Sequence, residues 1–204
     1  MADSVDVLIR KAEEALKTVR EHYEADLSAK RVSDDTLYAV GQIVIDCQRA
    51  LDYPIGKTPE DFETKLEEQI KGLAVSHPKI AKAFGRHQPY RAKRAELAYL
   101  KPLRKVNSHE DFTPQQRVER QVGLRQEYAG AIVEHDFIGG NLRAGPPRGS
   151  TNTIIDGSPP LRVQRIVYVD WQFVDPPVSV LPTLQAIVRL TRAAVKDIRR
   201  EANL

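Results

Sequence analysis

Apolar residues Val5, Leu8, Ile9, Ala12, Leu16, Val19 and Tyr23 recur at three- and four-residue spacing with Glu and Lys between them, which predicts an amphipathic helix over residues 4–29. Ser33 followed by Asp34 and Asp35 is a hydroxyl cap with carboxylates in the first turn. It predicts a second helix whose stripe is Leu37, Val40, Val44, Cys47 and Leu51, stopped by Pro54 and Gly56 and paired antiparallel with the first. Thr58-Pro59-Glu60-Asp61 is a further start signal, for a short helix carrying Phe62, Leu66, Ile70 and Leu73. Pro78 opens a brief helix over Ile80 to Phe84, and a longer one after Gln88-Pro89-Tyr90 carries Leu97, Leu100 and Leu103. Pro102 lies within that last pattern; proline removes a backbone donor and clashes with the preceding turn, so a kink or a restart near Leu100 is expected.

Past Pro114 the signals conflict. Thr113-Pro114-Gln115-Gln116 reads as a helix cap while Gly123 and Gly130 oppose a long helix, and a short helix is the assignment. From Ala131 the periodicity turns to two, predicting strands over 131–138, 151–155 and 163–174 joined by loops as an antiparallel meander. Pro176-Pro177 ends the last strand, and Leu184, Ile187, Val188, Thr191, Val195 and Ile198 then mark a helix from Ser179 to Ala202. The fold class is therefore mainly α (α+β). A helical bundle, residues 4–125 and 179–202, carries a small β-meander at 131–174 before a long C-terminal helix, in one domain spanning 1–204.

At 204 residues, 41% hydrophobic and 29% charged, the chain has a globular composition. No apolar run reaches membrane-spanning length and the N-terminus lacks a signal-like pattern, so a cytoplasmic protein without membrane contact is expected. The single cysteine, Cys47, excludes a disulfide framework and reads as a core thiol. Charge alters the picture more. The chain's net charge is only +3, yet between His77 and Ser108 the bases Lys79, Lys82, Arg86, Arg91, Lys93, Arg94, Lys101, Arg104 and Lys105 face Glu96 alone. The last helix adds Arg189, Arg192, Lys196, Arg199 and Arg200 against Asp197 and Glu201. Such asymmetry points to an anionic partner.

Gly145-Pro146-Pro147-Arg148-Gly149-Ser150-Thr151 lacks the lysine and the following helix of a phosphate loop, and reads as an ordinary loop. The five histidines show no metal-ligand spacing, so no metal or cofactor is expected. Arg104 and His109, with four residues between them at the end of the basic helix, combine a permanent planar cation with a group that moves protons near neutral pH. That pairing suits metal-free phosphodiester chemistry. A separation of five turns the two side chains by about 140° on a regular helix, which a frayed helix end or a second chain reconciles with one cleft. The pair is also short enough to arise by chance in a chain of this composition.

The Arg104-Lys105-Val106-Asn107-Ser108-His109 segment resembles the higher-eukaryote and prokaryote nucleotide-binding (HEPN) superfamily, whose ribonucleases are helical bundles with an Arg-x4-6-His motif. The resemblance implies a composite site made by two chains, with Arg104 holding phosphate and stabilising the transition state. His109 would transfer the proton as a 2′-hydroxyl attacks without metal. Lys105 stands where a polar residue often follows the arginine, and Pro102 interrupts a helix usually unbroken in that family. The chain is similar, over roughly residues 35–200, to uncharacterised bacterial helical proteins with an Arg-Ala-Leu-Asp helix, a Gln-Pro-Tyr turn and an Asn-x-His helix end. Those elements are here Arg49-Ala50-Leu51-Asp52, Gln88-Pro89-Tyr90 and Asn107-Ser108-His109, with Ser108 in place of that group's usual lysine. A local ion pair accounts equally for Arg49 and Asp52, and a packed ring with a solvated hydroxyl for Tyr90.

Three functional classes follow. The first is a HEPN-like RNA-directed protein, a metal-independent endoribonuclease of a defence or toxin system, with Arg104 and His109 catalytic and Lys93, Arg94, Lys101, Lys105 and Asn107 on the nucleic acid. The second is a non-catalytic nucleic-acid-binding or regulatory protein using the same bases. The third is a helical interaction or assembly protein whose basic face meets an acidic one. RNA or another polyanion is the expected partner, and a homodimer the expected assembly.

Overall fold

The computed structural model describes residues 4–54, 75, 77–91, 93–109, 114–128, 131–136, 143–145 and 159–203, with backbone alone at 106–109, 131, 133–136 and 143–145. The helix expected over 58–73, the strand over 151–155 and most of the Gly145–Thr151 loop lie outside the described residues. The chain is mainly α with a small antiparallel sheet, and it divides into two units: residues 1–116 with 171–204, and residues 117–170.

In the first unit α1 (Ser4–Ala29) and α2 (Asp34–Asp52) form an antiparallel pair, as their stripes require. The turn between them is held by a buried carboxylate. Asp26 Oδ2 accepts from Thr36 Oγ1 at 2.7 Å and from Ser33 Oγ at 3.2 Å, while Ser33 caps α2 by accepting from the Thr36 amide. Each group thereby satisfies another that burial would otherwise leave costly. Lys30 turns the chain in the left-handed region, φ 55°, where an L residue is tolerated singly.

Helix α3 (Pro78–Arg86) buries Ile80, Ala81, Ala83 and Phe84. A 3-10 turn over Ala95–Tyr99 precedes α4 (Leu100–His109), so the expected restart falls at Leu100. Pro102 then occupies the first turn of α4, where its missing N–H forfeits no intrahelical bond. Leu97, Leu100 and Leu103 are all buried. Helix α5 (Val180–Glu201) supplies the largest share of the core, burying Leu184, Ile187, Val188, Leu190, Ala194 and Ile198 among others, and packs on α1, α2, α3 and the 3-10 turn.

The sheet corrects the sequence reading. Residues Gln115–Tyr128 form a strand, β1, not a short helix, so the helical segment does not run to 125. Val118, Val122, Leu124 and Tyr128 fall on even positions and Arg117, Glu119, Gln121, Arg125 and Glu127 on odd ones, a period of two obscured by the long polar side chains that also favour helices. β2 (Ala131–Asp136) pairs antiparallel with β1 from Tyr128↔Ala131 to Gly123↔Asp136. β3 (Arg143–Gly145) pairs with β2, so Gly145 ends a strand instead of opening a loop. β4 (Arg162–Phe173) lies on the other side of β1, giving the order β3-β2-β1-β4. The missed strand is thus central to the sheet.

The last residues of β4 belong to the helical unit. Trp171 and Phe173 are part of its buried core, the Trp171 amide donates to Tyr23 Oη at 3.3 Å, and the Val174 amide donates to Pro114 O at 3.1 Å. No helix among the described residues is long and apolar enough to cross a membrane.

With Trp171 at 5% exposure, native fluorescence is expected to be blue-shifted from free indole and protected from iodide quenching. Emission like that of indole in water would contradict this placement.

Candidate functional site

Helix α4 separates its residues cleanly by chemistry. Leu100 and Leu103 enter the core, while Lys101, Arg104 and Lys105, one helical face by their three- and four-residue spacing, are exposed. Arg104 Nη1 approaches Asp52 Oδ2 of α2 at 3.4 Å, and Asp52 Oδ1 accepts from Gln48 Nε2 at 2.7 Å. The acidic end of the Arg-Ala-Leu-Asp segment is therefore engaged by the arginine of the Arg-x4-His segment. Asn107 and His109 lie in the last turns of α4, and their side chains are outside the described residues.

The remaining expected contacts, Lys93 and Arg94, sit in the segment between α3 and the 3-10 turn. Lys93 is exposed with φ 65°, a conformation that costs a non-glycine residue roughly 1 kcal/mol or more, and its carbonyl accepts from Arg94 Nη1 at 3.0 Å. Arg94 is half-buried and turned inward: its Nε donates to His87 Nδ1 at 3.2 Å. Tyr90 departs from the packed ring expected of it. It is 73% exposed, with the Arg91 guanidinium 5.3 Å from its ring centre, whereas the neighbouring Gln88 is buried and donates to Phe84 O.

His87 is the centre of a cluster absent from the sequence reading. Its Nε2 lies 2.9 Å from Asp197 Oδ2 of α5. Since Arg94 can only donate, Nδ1 must accept, and the imidazole is the neutral tautomer whose Nε2–H donates to Asp197. Arg86 Nε and Nη2 donate to the same carboxylate oxygen at 3.1 and 2.8 Å, Arg200 engages Oδ1, and Glu201 lies 3.7 Å from Arg86 and 3.2 Å from Arg200. Burial pushes the His87 pKa below its ordinary value and the charges of Arg94 and Arg86 add to this, against the pull of the Asp197 hydrogen bond. Burial acts to raise Asp197, but the hydrogen bonds from His87 and Arg86 and the arginine's charge prevail and hold it below the usual carboxylate range. Only fold-level packing of α3 on α5 brings positions 87 and 197 together. The adjacent Gln-Pro-Tyr turn was the nearest sequence signal.

Elsewhere, burial pushes the Cys47 thiol up to about 12, which suits a core residue and not a nucleophile. No group of three metal-ligating side chains occurs among the described residues. Two depressions of about 670 and 720 Å³ flank the Arg192–Glu13 ion pair between α1 and α5, with Arg10, Lys196 and Arg199 at one and Arg20 and Arg189 at the other. Comparison with protein-family models, curated proteins and solved structures found no match to this chain.

The His87 shift carries a stability consequence. The unfolded chain takes up a proton near pH 6.5 while folded His87 resists it, so the contribution of neutral His87 is complete above that value and is lost as pH falls toward the lower folded value. Unfolding free energy measured by urea titration is expected to fall between about pH 7 and 5, with a shallower fall in His87→Gln. An equal slope in both proteins would remove His87 as the source. Asp197→Ala, which strips the cluster of its acceptor, is expected to cost about 1–3 kcal/mol.

Proposed function

We propose that this chain is an RNA-directed protein of HEPN type that holds its ligand on the basic surface of α4 and the preceding segment. The observation that carries the reading is the division of α4, with leucines buried and Lys101, Arg104 and Lys105 exposed together on a helix that has no acidic residue. A face of this kind attracts phosphate by charge and releases condensed counterions on binding. Helix α5 carries exposed bases of its own, Arg189, Arg192, Lys196 and Arg200, away from this surface.

The Asp52 contact is compatible with a phosphate-holding role for Arg104. At 3.4 Å it engages one nitrogen of a 47% exposed side chain and restrains the guanidinium, leaving its other donors for a ligand. Among the described residues Arg104 makes no other hydrogen bond or ion pair. Metal-independent cleavage, in which Arg104 stabilises the transition state and His109 transfers the proton, is the activity implied by the resemblance, and the composite site requires a homodimer. The inward orientation of Arg94 favours, as a second reading, a binding protein without catalysis whose contacts come mainly from Lys93, Lys101, Arg104, Lys105 and Asn107.

Binding to single-stranded RNA is expected to weaken steeply with salt, and Lys101→Gln or Lys105→Gln to reduce the log–log slope by about 0.7 each. His109→Ala is expected to abolish cleavage with affinity retained, Arg104→Ala to reduce both, and EDTA to have no effect. Salt-dependent binding without cleavage by the unaltered protein would select the binding reading. No binding to RNA or DNA at low salt would reject both and leave a protein-assembly role.

Sedimentation at micromolar concentration is expected to give a dimer. A monomer would remove the composite catalytic site while leaving RNA binding intact.

A further inference from the structure

We propose that the cleft between α3 and α5 is a binding site for a phosphate monoester dianion. The cleft, about 420 Å³, is lined by Arg86, His87, Arg94, Lys196, Asp197 and Arg200. It is separate from the α4 surface, and the inference does not rest on the RNA reading.

The charge inventory is the first argument. Four permanent cations line the cleft and two carboxylates touch them, Asp197 from within and Glu201 from the next turn. His87 is neutral by its hydrogen-bond pattern. Two positive charges remain uncompensated, and a phosphate monoester carries between about 1.5 and 2 negative charges at neutral pH.

Preorganisation is the second. Asp197 holds Arg86 through Oδ2 and Arg200 through Oδ1, while His87 Nδ1 and the Lys93 carbonyl hold Arg94. The guanidinium groups are thus fixed before any ligand arrives, so less side-chain freedom is lost on binding. Donors remain to meet it. Among the described residues Arg86 Nη1, Arg94 Nη2 and Lys196 Nζ have no hydrogen-bond partner. A monoester presents three terminal oxygens, each an acceptor for such groups. The 5% exposed His87 forms the buried end of this arrangement and reports on it, because a bound dianion offsets the field of Arg86 and Arg94.

The full-length protein, labelled with 15N, is titrated with inorganic phosphate at pH 7.5 and constant ionic strength, and the His87 ring nitrogens are followed by NMR. A saturable shift and an upward displacement of the His87 titration are expected. Lys196→Met, a substitution at an exposed position, is expected to weaken phosphate about tenfold, and Arg200→Met similarly, with thermal unfolding nearly unchanged for Lys196→Met. A second titration compares 5′-phosphorylated with 5′-hydroxyl oligoribonucleotides of the same sequence. Preference for the phosphorylated strand assigns the cleft to a nucleic-acid terminus; saturation by inorganic phosphate without that preference assigns it to a small phosphate. The proposal is overturned if phosphate moves His87 no further than chloride does, or if Lys196→Met leaves the phosphate titration unchanged. Loss of RNA binding on altering α4 has no bearing on either outcome.

Discussion

The helical unit depends on burying one apolar stripe, that of α5. Leu184, Ile187, Val188, Leu190, Ala194 and Ile198 come from the last part of the chain and pack against helices formed by its beginning. Until they arrive, the inner faces of α1, α2, α3 and the 3-10 turn lack the surface that completes the core. Removing one such large side chain typically costs 2–5 kcal/mol, a substantial fraction of the stability of an ordinary domain. The intervening sheet must therefore return the chain to the bundle, and Trp171 and Phe173 do so by ending β4 inside the helical core.

The polar side of α5 is organised by the same packing. A carboxylate on a helix surface ordinarily gains little from a lysine or arginine beside it, because water screens the pair and long side chains lose freedom. Asp197 differs because the contact of α3 with α5 brings the buried imidazole of His87 against it, together with Arg86. Its acceptors are filled, and the resulting geometry fixes which nitrogen of His87 bears the proton. Arg94, outwardly one more base in a positive segment, becomes part of that arrangement and cannot be counted with the exposed bases of α4.

Much of this architecture was legible locally. Periodicity and caps placed α1, α2 and α5 to within a residue or two, since Ser33, the N-terminal carboxylates of α2 and continuous apolar stripes all agree. Pro102 correctly marked the restart at Leu100. β1 is hidden in the sequence because the cap-like Thr113-Pro114 pair and the helix-favouring Gln, Arg and Glu residues outweigh a weak alternation of Val and Leu. At the candidate site, the sequence showed that residues 77–108 are basic but not which bases face solvent. Lys101, Arg104 and Lys105 do, whereas Arg94 turns toward His87. The pairing of His87 with Asp197 spans 110 positions and has no local pattern to announce it.

The ion pairs also change how the charge of the molecule is to be understood. Counting formal charges along the chain treats Arg86, Arg192, Arg199 and Arg104 alike, yet the first three reach carboxylates at 2.8, 2.7 and 3.1 Å and the last only at 3.4 Å. A ligand phosphate competing for the first three must displace or share an acid already in place, and the gain is reduced accordingly. One competing for Arg104 meets a guanidinium held at its edge and still open. Local attraction for an anion therefore follows the residual donors and not the density of basic residues, so that Arg104, whose one carboxylate contact is the longest of the four, is better placed to take a phosphate than Arg86, Arg192 or Arg199. The α3–α5 cleft is an exception for a compact reason: its acids are outnumbered, and the carboxylate that neutralises part of its charge also holds the remaining donors in position.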